Sequence, residues 1–413
     1  MDFARLVVIN PKSPDKGTVL NVWDQYSFDD DLFNPSNSFS FRLRLTSRTG
    51  QVLSRDEIET LQDLTKPDTV VRLELGENHD LAATGIIDDQ YLSGSASEQQ
   101  IEISGRDGMS LLQDNECEPR LRLSNTALPS LADLIVEKYR GKGLNFGVLT
   151  DNASNRDVLT GKARPLKLKF GAVQPKTIRT IVGLVAVPTP NAPLSSGADI
   201  PTDFVRTPID EARPHGGESE YSFLDRHAQN VGVMMWMSAG GDLIFSRPDY
   251  NQPPIFDIRR KMRNGTGSNN VLSGGARRNT ANSATTVKMY GHTSGRGSLK
   301  TQVKARADLD PDKFIWPRVK VIHDGHAKDG GRARREAERT LSRANTNLFS
   351  LEYVMRDHDQ AGILYCPDTL ANVYDEVAGA YGVFYITARS IRKDLSGTFT
   401  TLKLVPRGAI ILG

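Results

Sequence analysis

The densest grouping of metal-ligating side chains is His323-Asp324-Gly325-His326, two imidazoles and a carboxylate within four residues. A tetrahedral site needs further ligands held by fixed elements, and no other His or Cys lies nearby in the sequence, so a solvated turn is expected. His215 and His227 are expected at the surface or at helix ends. The acidic groups Asp29-Asp30-Asp31 and Asp308, Asp310 and Asp312 supply the oxygen atoms that calcium takes, but not the spacing of a calcium loop, and they too read as solvated turns. Gly295-Arg296-Gly297-Ser298-Leu299-Lys300-Thr301 imitates a phosphate loop, yet has Leu299 where the glycine before the lysine must stand. The glycines of 141–147 miss the spacing of a dinucleotide fingerprint and follow a helical pattern where a strand is required. Glycoside cleavage needs two carboxylates facing each other across a cleft, and spacing cannot pick a pair out of 50 acids. No catalytic, cofactor-binding or metal-ligating residue is expected.

One charged pattern points to a partner. Over 331–345, Ala333, Ala337, Leu341 and Ala344 fall on one face of a helix, and Arg332, Arg335, Arg339 and Arg343 form a stripe beside them. Glu336 and Glu338 dilute the positive field, and no aromatic residue is interleaved for base stacking. The four arginines are therefore candidate subunit contacts, not a nucleic-acid site.

The elements that carry these residues are mostly strands. Apolar and polar residues alternate at Leu6–Ile9, Phe39–Leu45, Thr69–Leu75 and Ile101–Ile103, and again at Ser350–Met355, Val383–Thr387 and Thr398–Val405. Between them the period changes to that of helices: from Pro129, stopping at Gly141; after Pro175; and from Ser219 to Gly232. Gly105, Arg106 and Asp107 are expected to form a tight turn, and Gly217 and Gly232 to lie at helix ends. Pro188 to Gly217 and 262–284 read as long loops. The expected class is α+β, mainly β. Two barrel-like tube domains, at 1–115 and 249–413, flank a mixed α/β domain at 116–248, and the looser echo between the two β regions is what a duplicated barrel would produce.

Composition narrows the function. Lys and Arg number 52 against 50 Asp and Glu, a net charge of +2, which is too balanced for strong nonspecific binding to nucleic acid. No run approaches the length of a membrane span. The start, with an early Asp2 and a short apolar run, is not expected to be a secretory signal. Cys117 and Cys366 have no nearby partner and read as buried thiols made in a reducing compartment.

Several segments, in order, resemble the Mu-like baseplate hub (tail protein P) family of contractile-tailed phages: Thr84-Gly85-Ile86-Ile87-Asp88, then Ser104-Gly105-Arg106-Asp107-Gly108-Met109-Ser110-Leu111-Leu112-Gln113-Asp114. Further on come Gly217-Glu218-Ser219-Glu220-Tyr221 through Gly232-Val233, and Gly241-Asp242-Leu243-Ile244-Phe245-Ser246-Arg247-Pro248. Gly362–Pro367, Val373–Glu376 and Gly397–Thr400 follow the family's ending, although Cys366-Pro367-Asp368 stands where an aromatic-x-Pro-Gly turn is usual. The resemblance implies a structural virion protein of the tail baseplate, assembled in the host cytoplasm, without cofactor or membrane insertion. It also implies a homotrimer that joins a hexameric tail tube to a central spike, contacts neighbouring baseplate proteins and passes DNA as cargo. A peptidoglycan-degrading tail hub enzyme is the alternative from another class, and the equivalent hub of a phage-tail-like injection particle is a third reading.

Overall fold

A computed structural model describes residues 4–10, 13–21, 23–45, 54–94, 99–141, 143–150, 209–262, 269–292, 302–308, 316–324, 330–346 and 348–410. The first third is β1 (Ala4–Asn10), β2 (Ser13–Leu20), β3 (Gln25–Asp31), β4 (Ser38–Arg44), α1 (Arg55–Leu64), β5 (Val70–Leu75), β6 (Asp80–Gly94) and β7 (Gln99–Asp107). Period-two alternation explains the strands: Phe39 and Phe41, Val71, Leu73 and Leu75, and Ile101 and Ile103 all turn to one core with Leu6 and Val8, while their neighbours face outward. α1 starts on a reciprocal cap, in which the Ser54 hydroxyl accepts from the Glu57 amide and the Glu57 carboxylate accepts from the Ser54 amide.

The middle is mixed: α2 (Met109–Asp114), β8 (Leu123–Thr126), α3 (Leu128–Val136), β9 (Val148–Thr150), β10 (Ile209–Ala212), α4 (Glu220–Asn230), β11 (Met234–Met237) and β12 (Leu243–Ser246). Leu112, Leu131, Phe146, Phe223, Leu224 and Phe245 form its core, which reaches Ile9, Val70 and Ile86 of the first sheet. α3 opens with Pro129 in its first turn and runs into a short 3₁₀ turn before Gly141, whose φ of +80° ends the run. The helix expected after Pro175, and most of the loop expected at 188–217, lie outside the described residues.

The last part holds β13 (Phe256–Arg260), β14 (Val271–Arg278), β15 (Thr286–His292), β16 (Gln302–Asp308), β17 (Val319–Asp324), α5 (Gly330–Asn345), β18 (Phe349–Arg356), β19 (Asp359–Gln360), β20 (Ile363–Leu364), β21 (Thr369–Asp375), β22 (Ala380–Asp394) and β23 (Gly397–Pro406). Ala333, Ala337 and Leu341 of α5 cover the small sheet β16-β15-β17 at Val287 and Met289. The loop expected at 262–284 is corrected: Val271–Arg278 is a strand, paired with β18 across its whole length. Its Ser, Gly and Arg content hid it, because an edge strand needs few apolar residues.

One sheet unites both ends of the chain, in the order β14-β18-β23-β22-β3-β4-β7-β6-β5-β1-β2, with β21 against β22 and β13 against β21. The order repeats itself. β3-β4-β7-β6-β5 in the first third has its counterpart in β14-β18-β23-β22-β21. The long strands β6 and β22 are both 15 residues, and both break register with the next strand at a bulge, between Ile87 and Asp89 and between Ile386 and Ala388. The chain is mainly β.

Candidate functional site

The two equivalent sheets meet at a seam, where β22 changes partner along its length. Up to Ile386 it pairs with β21; from Ala388 to Lys393 it pairs with β3, with Arg389 opposite Asp30 and Ile391 opposite Phe28. Here Asp29-Asp30-Asp31 is a strand and not the solvated turn expected from its charge. A run of carboxylates is normally hydrated, whereas here Asp30 faces Arg389 on the adjoining strand.

Arg389 is the centre of the seam, 3% exposed. Its Nε donates to the Asp30 carboxylate at 3.0 Å, Nη2 to the Ala82 carbonyl at 3.3 Å and Nη1 to the Tyr365 carbonyl, with the guanidinium over the Phe28 ring. It therefore ties β3, β6 and the turn before β21 together. Burial pushes the Asp30 carboxyl up and Arg389 pulls it back, leaving it above the ordinary carboxylate range. At the other end of the seam Lys393 Nζ donates to the Trp23 carbonyl at 2.9 Å.

Beside this pair lies a buried polar chain. Thr400 Oγ1 donates to the Asp357 carbonyl at 2.7 Å, and His358 Nδ1 is 3.3 Å from that hydroxyl. The hydroxyl proton is thus committed, which assigns the imidazole proton to Nδ1 and leaves Nε2 to accept from the Tyr26 hydroxyl at 2.6 Å. His358 is fully buried, and burial holds its pKa down at about 4. The ring is neutral. The arrangement ties β3, β18 and β23 together through side chains that are all buried.

Gly105, Arg106 and Asp107, expected as a tight turn, are instead the last three residues of β7. A Cβ on Gly105 would stand 2.1 Å from the Ile86 carbonyl and 2.5 Å from the Phe39 ring, and one on Gly85 would stand 2.3 Å from the Arg106 carbonyl. The need for glycine is thus close approach of two strands under an aromatic lid, not a positive φ. Arg106 bridges Asp88, at 2.7 Å, and Asp114, at 2.7 Å, and these partners raise its pKa further. The buried Asp107 carboxylate accepts from the amides of Asn37 and Met109, both at 3.1 Å, yet burial outweighs them and pushes it up to about 7.

Gly217 and Gly232 both have φ of +73°. Gly232 follows the C-terminal cap of α4, and Gly217 turns two residues before the Ser219 cap. Glu220 in the first turn of α4 is buried, held by Lys138 Nζ at 2.6 Å and the Tyr139 hydroxyl at 2.7 Å. His227, expected at the surface, is buried on α4 against the edge of the Phe223 ring; His215 is exposed. His323 and Asp324 belong to β17, not to a turn, with the His323 ring stacked on Tyr290; His326 lies outside the described residues. Asp308 ends β16 and accepts from Thr286 Oγ1 at 2.7 Å, while Asp310 and Asp312 are not among the described residues. Among the described residues no three His, Cys, Asp or Glu side chains converge as a metal site would require. Cys117 and Cys366 are both buried and unbridged.

The arginines of α5 divide. Arg339 is buried and donates to the Gln229 carbonyl and to Glu336, so it binds α5 to the end of α4 within the chain. It is not open to a second subunit as expected, because the stripe faces the middle region over part of its width. Arg335 and Arg343 are exposed, and Arg332 is on the same helix.

Known folds place this arrangement. The tail protein from Neisseria meningitidis MC58 matches over 99% of this chain and 97% of its own, with a TM-score of 0.71 at 17% identity. The chain has the fold of a phage tail protein. The 43 kDa tail protein of prophage MuSo2 from Shewanella oneidensis shares this tail fold over 98% of this chain and 99% of its own, with a TM-score of 0.69 at 16% identity. A chain of a Francisella PdpA-VgrG complex shares it more loosely, over 99% of this chain and 58% of its own, with a TM-score of 0.54 at 11% identity. No family model and no curated protein sequence matches.

Proposed function

We propose that the protein is a structural baseplate hub of a contractile phage tail, a homotrimeric adaptor between a hexameric tail tube and a central spike, with a lumen through which DNA passes. The observation that carries this reading is the repeat of one strand order within one chain. Two equivalent sheets per chain let three chains present six equivalent units to a sixfold tube and three whole chains to a threefold partner. The units are read as two barrel-like tube domains, over 1–115 and 249–413, with 116–248 as the mixed domain between them. A near-neutral chain suits a passage for DNA, since a strongly basic lumen would retain phosphates. Neighbouring baseplate proteins and the spike are the remaining partners, the virion the location, and binding the role, with no chemistry assigned to any residue. Exposed Arg335 and Arg343, with Arg332, are placed at contacts with these neighbours.

The test is the mass of the purified protein by light scattering coupled to size exclusion. Three times the 45.5 kDa chain is expected. A particle of two or four chains, or a monomer at every concentration, contradicts the trimeric adaptor; release of fragments from purified peptidoglycan would instead support the hydrolase alternative.

A further inference from the structure

The seam offers a template for a contact the chain does not make with itself. Past its bulge, β22 pairs with β3. The equivalent stretch of β6, from Asp89 to Gly94, pairs with β7 on one side, and no strand among the described residues takes the other. Its exposure follows: Tyr91 is 58% and Leu92 46% exposed, whereas Ile391, at the position equivalent to Leu92, is fully buried. The strand equivalent to β3 is β14, and among the described residues it too pairs on one side only, with β18. Among the described residues the sheet therefore leaves two stretches open, the distal half of β6 and the outer side of β14, each the counterpart of one side of the seam. Edges of this length attract strands unless covered.

Charge supports the same match. At the seam the acids are on β3, at Asp29 to Asp31, and the cations on β22, at Arg389, Arg392 and Lys393. On the open edges the signs are exchanged: β6 carries Asp88 and Asp89, and β14 carries Arg277 and Arg278. β6 would repel a second β3 and β14 a second β22, so only β6 against β14 is favourable, and β3 and β22 are kept for each other.

Resting on the trimeric reading above, we propose that the open half of β6 pairs antiparallel with β14 of a second copy of this chain, in the register of the internal seam. The register follows from the two ladders. Leu92 stands opposite Ile101 as Ile391 stands opposite Thr400, and Ala276 stands opposite Leu351 as Phe28 stands opposite Phe39. Because Ile391 faces Phe28, Leu92 faces Ala276, and Gln90 faces Arg278 as Arg389 faces Asp30. Such a contact is head-to-tail, so it closes into a ring when the junction between chains repeats the rotation of the junction within them.

The experiment is a Leu92→Cys, Ala276→Cys double variant of the full chain under mild oxidation, with a Leu92→Cys, Arg278→Cys variant two residues out of register as control. Within one chain these positions are separated by the rest of the sheet, and Cys117 and Cys366 are buried, so a covalent link reports contact between copies. The expected result is reducible species of two and three chains, with about tenfold more of them than in the control, the ratio that roughly 1.4 kcal/mol of register preference gives. Replacing Arg278 by Asp should lower assembly, and adding Asp89→Lys should restore it. A trimer by mass with no in-register link overturns the edge pairing alone. A monomer with no link overturns both the pairing and the trimer. A link in a closed particle of another count keeps the pairing and overturns the trimer.

Discussion

The distal halves of β22 and β6 begin from the same strand order and the same bulge, yet one is sealed and the other bare. At the seam, Arg389 satisfies a carboxylate and two backbone carbonyls at once, and Ile391 is fully covered. At the equivalent place β6 has Gln90, whose amide donates to the Gln62 carbonyl and to Thr65 Oγ1 at the end of α1, and an uncovered Leu92. The difference shows what makes a sheet edge permanent. It is not apolar area alone, but a buried cation whose partners come from three separate segments, so that none can leave without stranding the others.

The largest effect that should break this comparison is at its centre. Arg389→Ala leaves Asp30 and two carbonyls in a dry seam and is expected to cost about 3–5 kcal/mol, as when one member of a buried pair is removed. Gln90→Ala, the equivalent change in β6, should cost below about 1 kcal/mol. Denaturant midpoints of the two variants measure both. Next is Gly105→Ala, expected to cost about 1–3 kcal/mol by overpacking against the Ile86 carbonyl and Phe39; its counterpart on β23, Leu404, already carries a large buried side chain, so the close approach belongs to the first sheet only.

A smaller effect sharpens the comparison through pH. His358 is held neutral, with a folded pKa of about 4 against an ordinary value of 6.5. The unfolded chain takes up that proton first, so the contribution of His358 is full above about pH 6.5 and is lost as pH falls toward 4. The stability of a His358→Gln variant should decline less steeply than the parent's over that window in denaturation curves taken at stepped pH. Asp107, raised to about 7, acts in the opposite sense, losing its contribution as pH climbs from the ordinary carboxylate value through 7, so the difference between variant and parent, not the parent curve, isolates His358. The smallest effect is Leu92→Ser: within about 0.5 kcal/mol on the stability of a single chain, because the side chain is exposed there, while association measured by light scattering should weaken.

Much of the frame was legible in the residues. Alternation located β4, β5, β7, β18 and β23, and the helical periods with Gly141 and Gly232 at their ends located α3 and α4. What could not be read was the pairing of strands far apart in sequence. Asp29–Asp31 looks hydrated until Arg389 is brought beside it from more than 300 residues away. β14 looks like a loop because Ser273-Gly274-Gly275 serves an edge, where one side needs no apolar cover. The looser echo between the chain's two β regions was visible, but its bulges and the seam were not, because register is a property of partners and not of either strand.

The seam has one more consequence, for the order in which an assembly forms. Two sheets on one chain meet at an effective concentration in the range of about mM, set by the connecting segments and independent of dilution. Contacts between chains enjoy no such advantage. In the proposed ring every collision between copies is thus between finished double units, and such an encounter slows with dilution while the internal joint does not. Translation of a single chain has already completed half of the joints of any ring built from it.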